Sequence, residues 1–173
     1  MTYNTKIQIE KIIIYFGLLL WINSCGIYSF SGTSLPKGTK TIFVNYIANN
    51  ASLVQPSLST VLTERLKTKC LNETNLLWVE HNADINFSGN ITEYKIEPIS
   101  IQGDETASQN RLTISVEISY LNTLDTSNNF TKVFRHYEDF KSTQSLNEIE
   151  EDLNLIIIEN IIDDIFNESL INW

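Results

Sequence analysis

A cysteine closing an apolar run is the residue in this chain whose setting most clearly implies a reaction. Lys6 and Lys11 give a basic start, Ile12 to Ile22 form an apolar stretch of 11 residues, and Ile22-Asn23-Ser24-Cys25 follows. Eleven apolar residues cannot cross a bilayer, which takes about 20, but they suit the hydrophobic region of a secretory signal. An aliphatic residue at −3 and a small one at −1 predict a bacterial lipoprotein signal over residues 1–24. Cleavage before Cys25 would leave its sulfur to take a diacylglycerol and its new amino group a third acyl chain. At about 0.8 kcal/mol per buried CH₂, several such chains anchor a protein durably. Gly26, not Asp, comes next, which makes the outer membrane the default destination. The plainer alternative is a signal anchor that happens to precede a cysteine.

The other reactive side chains are sparse. Cys70 lies on the row Leu58, Leu62, Leu66, Cys70 and reads as a small buried hydrophobe. His81 and His136 are the only histidines, and Glu138 and Asp139 beside His136 read as a solvated strand edge. There is no His-Glu-x-x-His helix, Cys-x-x-Cys pair, calcium loop, Gly-x-Ser-x-Gly elbow, P-loop or dinucleotide fingerprint. The expectation is a protein that is not an enzyme, without a metal or cofactor beyond the covalent lipid on Cys25. With 12 Lys+Arg against 21 Asp+Glu, the chain carries −9, and about −10 once residues 1–24 are gone. A nucleic-acid partner is excluded on charge. A phosphate-bearing ligand would need local basic clustering. The candidates are Arg65, Lys67 and Lys69 on one predicted helix, and Lys37 with Lys40.

Few elements are needed to position these residues. Residues 25–38, rich in Ser, Gly and Thr, form a tether, and residues 39–173 form a single domain. Thr41 to Ile47 is β-branched and aromatic, a strand. Gln55-Pro56-Ser57 opens a helix whose apolar spacing runs to Leu71, and Leu76 to Glu80 is a short strand. Ile85, Phe87, Gly89 and Ile91 alternate with polar residues, as do Leu112, Ile114, Val116, Ile118 and Tyr120. Such alternation marks a sheet with one wet face. Asn122 to Asn129 reads as a hairpin connection, and Phe130 to Phe140 as the returning strand. Ser145-Leu146-Asn147-Glu148 is a capping box that starts the last helix.

That helix has two apolar sides. Leu146, Ile149, Leu153, Ile156 and Ile157 cluster on one, and Leu155, Ile158, Ile162 and Phe166 lie roughly opposite. One side would meet the sheet. The other, through Ile158, Ile162 and Phe166, is either core or a contact with a partner. Strand, helix, several antiparallel strands and helix predict an α+β two-layer sandwich: two helices on one face of a mostly antiparallel or mixed sheet of four to five strands.

Three blocks, in this order, carry a resemblance: Cys25-Gly26-Ile27-Tyr28-Ser29-Phe30-Ser31-Gly32, Ile101 through Val116, and Asp164-Ile165-Phe166-Asn167 through Asn172-Trp173. Together with the element order, they make the mature chain resemble the lipopolysaccharide-assembly lipoproteins (LptE-like), in the branch typical of Bacteroidetes. The resemblance implies an outer-membrane lipoprotein with an α/β sandwich fold, seated largely in the lumen of a large β-barrel translocon (LptD). It implies a protein that assists assembly of that barrel, plugs it and helps deliver lipopolysaccharide. Better-known members of the wider family present basic residues to lipopolysaccharide. Arg111 is the only basic residue inside a matching block, so Asn110 and Arg111 are the candidate ligand contacts, with bonding to loop carbonyls as their structural alternative. The rival class is a periplasm-facing envelope lipoprotein that binds glycan or protein.

Overall fold

The computed structural model describes residues 35–99 and 108–171. The expected signal segment, Cys25 and its lipid, most of the tether and residues 101–107 of the second matching block lie outside them. A turn over Pro36–Thr39, closed by the Thr39 N–H on the Pro36 carbonyl at 3.2 Å, leads into the domain. Gly38 holds φ +104° there, a left-handed conformation that a side chain would strain.

Two strands open the fold, β1 (Thr41–Val44) and β2 (Ala48–Asn49), followed by helix α1 (Leu58–Glu73) and β3 (Leu77–Trp78). Three long strands come next, β4 (Ile85–Ile99), β5 (Gln109–Asn122) and β6 (Phe130–Lys141), the last two joined through a 3₁₀ turn at Thr126–Asn128. Helix α2 (Leu146–Leu170) ends the order. The sheet runs β3-β1-β4-β5-β6, with β2 on the same edge of β4 as β1. Pairing is parallel among β1, β2, β3 and β4, and antiparallel along β4-β5-β6. Two helices on a mixed sheet make the expected α+β sandwich. The sheet has six strands, two of them only two residues long, which the four-to-five estimate undercounted.

The expected single strand from Thr41 to Ile47 is broken. Between β1 and β2 the Ile47 N–H leaves the sheet ladder and donates to Thr63 Oγ1 of α1 at 3.0 Å, while that hydroxyl donates to the Ser59 carbonyl at 2.7 Å. Ile47 and Thr63 are buried, so the helix hydroxyl meets a backbone donor that would otherwise be orphaned. A second irregularity sits in β4, where the pairing register shifts between Ile91 and Glu93. The extra residue, Thr92, moves the buried positions from Ile85, Phe87 and Ile91 to Tyr94. That is why the alternation in the sequence stops at Ile91 although the strand runs eight residues further.

The core lies between the helices and one face of the sheet. Leu58, Leu62, Leu66 and Cys70 of α1 meet Ile42, Val44, Ile85, Phe87 and the buried row Leu112, Ile114, Val116, Ile118 and Tyr120 of β5. Ser145 precedes α2 as expected, but its hydroxyl makes no capping bond. The first turn closes instead through the Glu148 N–H on the Ser145 carbonyl at 3.1 Å.

Helix α2 corrects the two-faced reading. Asn154, Ile157, Ile158, Ile161, Ile162, Ile165, Phe166 and Leu170 are all buried, while Ile156 is 47% exposed. At about 100° per residue these positions form one arc of roughly 220°, too wide for a helix that touches a sheet alone. The helix packs on β5 and β6 and also on α1, and its apolar arc spans both neighbours.

Candidate functional site

The α1–α2 seam holds the residues nominated for a partner. Ile158, Ile162 and Phe166 are at most 1% exposed and belong to the domain's own core. They are not available as surface, which corrects their assignment to a partner interface. Lys69 of α1 lies 5.2 Å from the centre of the Phe166 ring, so this stripe faces α1.

The same seam accounts for the basic row on α1. Arg65 pairs with Glu159 of α2. Lys69 bridges Glu73 at 2.7 Å and Asp163 of α2 at 2.9 Å. Lys67 lies 3.8 Å from Glu64 and 4.4 Å from the centre of the Trp78 ring. Each cation already faces a carboxylate: Arg65 and Lys69 tie α1 to α2, while Lys67 pairs within α1 and lies over Trp78 of β3. Lys37 and Lys40 are exposed before β1. The backbone N–H of Lys40 donates to Asp84 Oδ2 at 2.9 Å, which also accepts from the Thr41 N–H at 2.9 Å and the Thr41 hydroxyl at 2.8 Å. These donors hold the Asp84 carboxyl below the usual carboxylate range.

Arg111 sits on the face of β5 away from the helices. Its Nε and Nη2 reach Asp139 Oδ1 and Oδ2 of β6 at 2.7 and 2.9 Å, a two-point fork. The guanidinium also lies 3.6 Å from the centre of the Tyr137 ring. This bond lowers the Asp139 carboxyl and raises the guanidinium. Its partners are a carboxylate and a ring, where loop carbonyls were the structural expectation. Asn110, half-buried, pairs in register with Pro98 and Phe140. The structure brings Arg111 together with Asp139 and Tyr137, and not with the α1 cations.

The next row on that open face is also paired. Ser115 donates to Glu93 Oε2 at 2.8 Å, and Arg135 donates through Nε to Ser115 Oγ and through Nη2 to Glu93 Oε2, both at 2.9 Å. This network covers Ser115 to 1% exposure, although alternation placed it on the wet side. Around it, Val133, Tyr137 and Leu121 remain 50%, 50% and 45% exposed. The result is a sheet face of paired charges and separate, half-exposed apolar side chains.

The remaining candidates are structural. Burial pushes the Cys70 thiol up to about 12, which leaves no thiolate at neutral pH. The carboxylate partner of His136 is Asp164 of α2, with Nε2 2.7 Å from Oδ2, and not the Glu138 or Asp139 that flank it in sequence. Among the described residues no group of three or more His, Cys, Asp or Glu side chains could hold a metal ion. No described helix is long and apolar enough to cross a membrane.

Comparison with known proteins adds the family. Three solved structures show partial likeness: a minor lipoprotein from Acinetobacter baumannii (15% identity, 71% of this chain and 91% of that one, TM-score 0.45), a putative lipoprotein from Caulobacter crescentus (12%, 72% and 83%, TM-score 0.41) and a putative neuraminyllactose-binding hemagglutinin homolog from Helicobacter pylori (12%, 79% and 88%, TM-score 0.47). No curated protein matches the chain. The family profile described as LptE, lipopolysaccharide-assembly, matches residues 39–169, nearly the whole of the domain built above. On that match, the chain belongs to the LptE lipopolysaccharide-assembly family.

Proposed function

We propose that this protein is an outer-membrane lipoprotein, anchored through Cys25, that assists assembly of a lipopolysaccharide-translocating β-barrel of the LptD type and plugs its lumen. The observation that carries this reading is the LptE match over residues 39–169. It agrees with a closed domain whose nominated basic row is already committed to internal ion pairs. With Ile158, Ile162 and Phe166 enclosed, the surface offered to the barrel is the open face of β4, β5 and β6 around Val133 and Tyr137. The role toward lipopolysaccharide is mainly through the barrel. A net-negative surface repels a phosphate-rich cargo within about 8 Å at physiological salt, and Arg65, Lys67 and Lys69 already face carboxylates.

Affinity purification of the full-length protein from its own envelope tests the central point. One large β-barrel should co-purify, and a Val133→Glu exchange, at a half-exposed position, should reduce its recovery without moving the melting temperature. Recovery of peptidoglycan or other envelope proteins without a barrel would support the rival binding module and end the assembly reading. Cys25→Ser should accumulate a precursor about 24 residues longer, with no labelled acyl chain. Normal processing of that variant would refute the anchor.

A further inference from the structure

Exposed apolar side chains gather at the end of the sheet where the chain enters the domain. The Leu77 N–H donates to the Lys40 carbonyl at 2.8 Å, the Lys40 N–H to Asp84 Oδ2 at 2.9 Å, and the Thr123 N–H to the Asp84 carbonyl at 2.8 Å. These bonds set the starts of β3, β1 and β4 and the end of β5 side by side. Across those four neighbouring strands the row spans about 14 Å. Leu77, Trp78, Leu121 and Leu124 lie on it or next to it and are all exposed, Leu77 to 68%.

Single exposed leucines are common and mark nothing. Two further observations set this end apart. Lys37 and Lys40 stand exposed there, and neither holds a carboxylate among the described residues, whereas most described cations do. The second is reach. Cys25 precedes Leu35 by ten residues, which span at most about 36 Å when fully extended. Strand β4, from Ile85 to Ile99, runs about 46 Å. A bilayer that holds an acyl chain on Cys25 therefore meets this end when the strands stand upright, and not the end where β4 finishes.

The side-chain types suit that boundary. Leucines enter the acyl region, an indole settles at headgroup level, and lysine stems lie along the apolar layer while their ammonium groups reach phosphate. Glu80, Asp84 and Asp125 sit in the connections at the same end and offset the two lysines. The attraction is therefore apolar and does not call for anionic lipid.

We propose that this end of the domain docks on a phospholipid surface through Leu77, Trp78 and Leu124, with Lys37 and Lys40 on the lipid phosphates. The docking rests on the Cys25 anchor proposed above, which keeps the domain at a high effective concentration beside that surface. It sets the sheet upright, with the end where β4 finishes directed away from the bilayer.

The test uses the mature acylated protein, purified from its own envelope and reconstituted in phosphatidylcholine vesicles. Trp173→Phe leaves Trp78 as its single tryptophan. Flotation with the vesicles and the mass of the N-terminal peptide read the anchor. Quenching of Trp78 by lipid brominated near the top of its acyl chains reads the docked end. Trp78 emission should shift to the blue and be quenched, at low and high salt alike. A nitroxide on Leu124→Cys repeats the measurement with both tryptophans in place, and should become more accessible to oxygen than to a nickel chelate. Leu77→Ser combined with Leu124→Ser should lower the ratio of docked to free domain at least about tenfold. Both positions are exposed, so thermal melting should not move. Acylated protein that floats while Trp78 stays unquenched and the nitroxide stays in water overturns the docking and leaves the anchor standing. Quenching that survives the double exchange overturns it as well. Protein without an acyl group refutes both the anchor and the docking.

Discussion

Truncating Ile162 separates a core contact from a docking contact. Its side chain is fully buried, on the arc of α2 that faces α1. Ile162→Ala removes three carbon groups, worth about 2.4 kcal/mol at about 0.8 kcal/mol each. If about 60 Å³ stays open after relaxation, the cavity adds about 1.4 kcal/mol. The expected loss is therefore about 4 kcal/mol, which for a domain of this size lowers the melting temperature by about 10–20 °C. Urea unfolding of the purified chain, followed by circular dichroism, should show a lower midpoint with an unchanged slope. Ile162→Asp should not fold, since it buries a charge that has no partner. Ile156→Ala, at a position 47% exposed, is the control and should cost less than about 0.5 kcal/mol. Recovery of the barrel should then track the folded fraction of each variant. If Ile162→Ala shifts the unfolding free energy by less than about 1 kcal/mol yet abolishes barrel recovery, the side chain is an interface residue, and the assignment to the core is refuted.

Three further outcomes follow from single contacts. A Cβ on Gly89 would lie 2.1 Å from the Glu117 carbonyl oxygen, so Gly89→Ala should cost at least about 3 kcal/mol or prevent folding, as read by thermal melting. Asp84 titrates lower in the folded chain than in the unfolded one, so the unfolded state takes up protons first as pH falls. Its contribution is complete above the ordinary carboxylate range and is lost toward the lower folded value. Asp84→Asn should therefore flatten the acid limb of a stability–pH curve, and an unchanged limb would show that the clamp on Thr41 contributes nothing. In a Cys25→Ser chain, Cys70 should resist a thiol reagent at pH 8, where only about one in 10,000 thiols is ionised at a value of about 12, and should react at once on unfolding.

What the sequence revealed followed periodicity. The alternation in β4 and β5 and the helical row of α1 are local patterns, and the structure places them as expected. The features that stayed hidden depend on contacts made across the fold. The break at Ile47 answers a hydroxyl 16 residues away, and the bulge at Thr92 shows only against the register of β5. The α2 arc looked two-sided because the single-helix view has no place for a second helix at its flank. Arg111 is a nearer miss. The β5–β6 pairing is symmetric about Asp125, with Tyr120 opposite Phe130 and Arg111 opposite Asp139. The polar run Asn122 to Asn129 already locates that centre to within a residue. The midpoint of that run falls between Asp125 and Thr126, however, and counting outward from it sets Arg111 opposite Phe140; the half-residue that selects Asp139 shows only in the paired strands.

The pairing of charges bears directly on how an acidic chain can serve in lipopolysaccharide assembly. Ten lysines and arginines lie in the described residues, and seven of them, Arg65, Lys67, Lys69, Lys95, Arg111, Lys132 and Arg135, hold carboxylates within the domain. Most of these pairs are solvent-exposed, and each contributes little to stability on its own. Their effect is on recognition. A cation that already faces a carboxylate presents a weak field to an outside phosphate, and freeing it means breaking the pair. The other three basic residues do not gather in one place: Lys37 and Lys40 precede β1 at the end of the sheet where β4 begins, while Lys141 closes β6 at the end where β4 finishes. The domain therefore lacks, among its described residues, the concentrated positive patch that polyanion binding requires. Its sheet offers instead a face on which the charges are paired and Val133 and Tyr137 stand half-exposed. On the assembly role proposed above, that face would meet the barrel, and the cargo's phosphates would be left to the barrel.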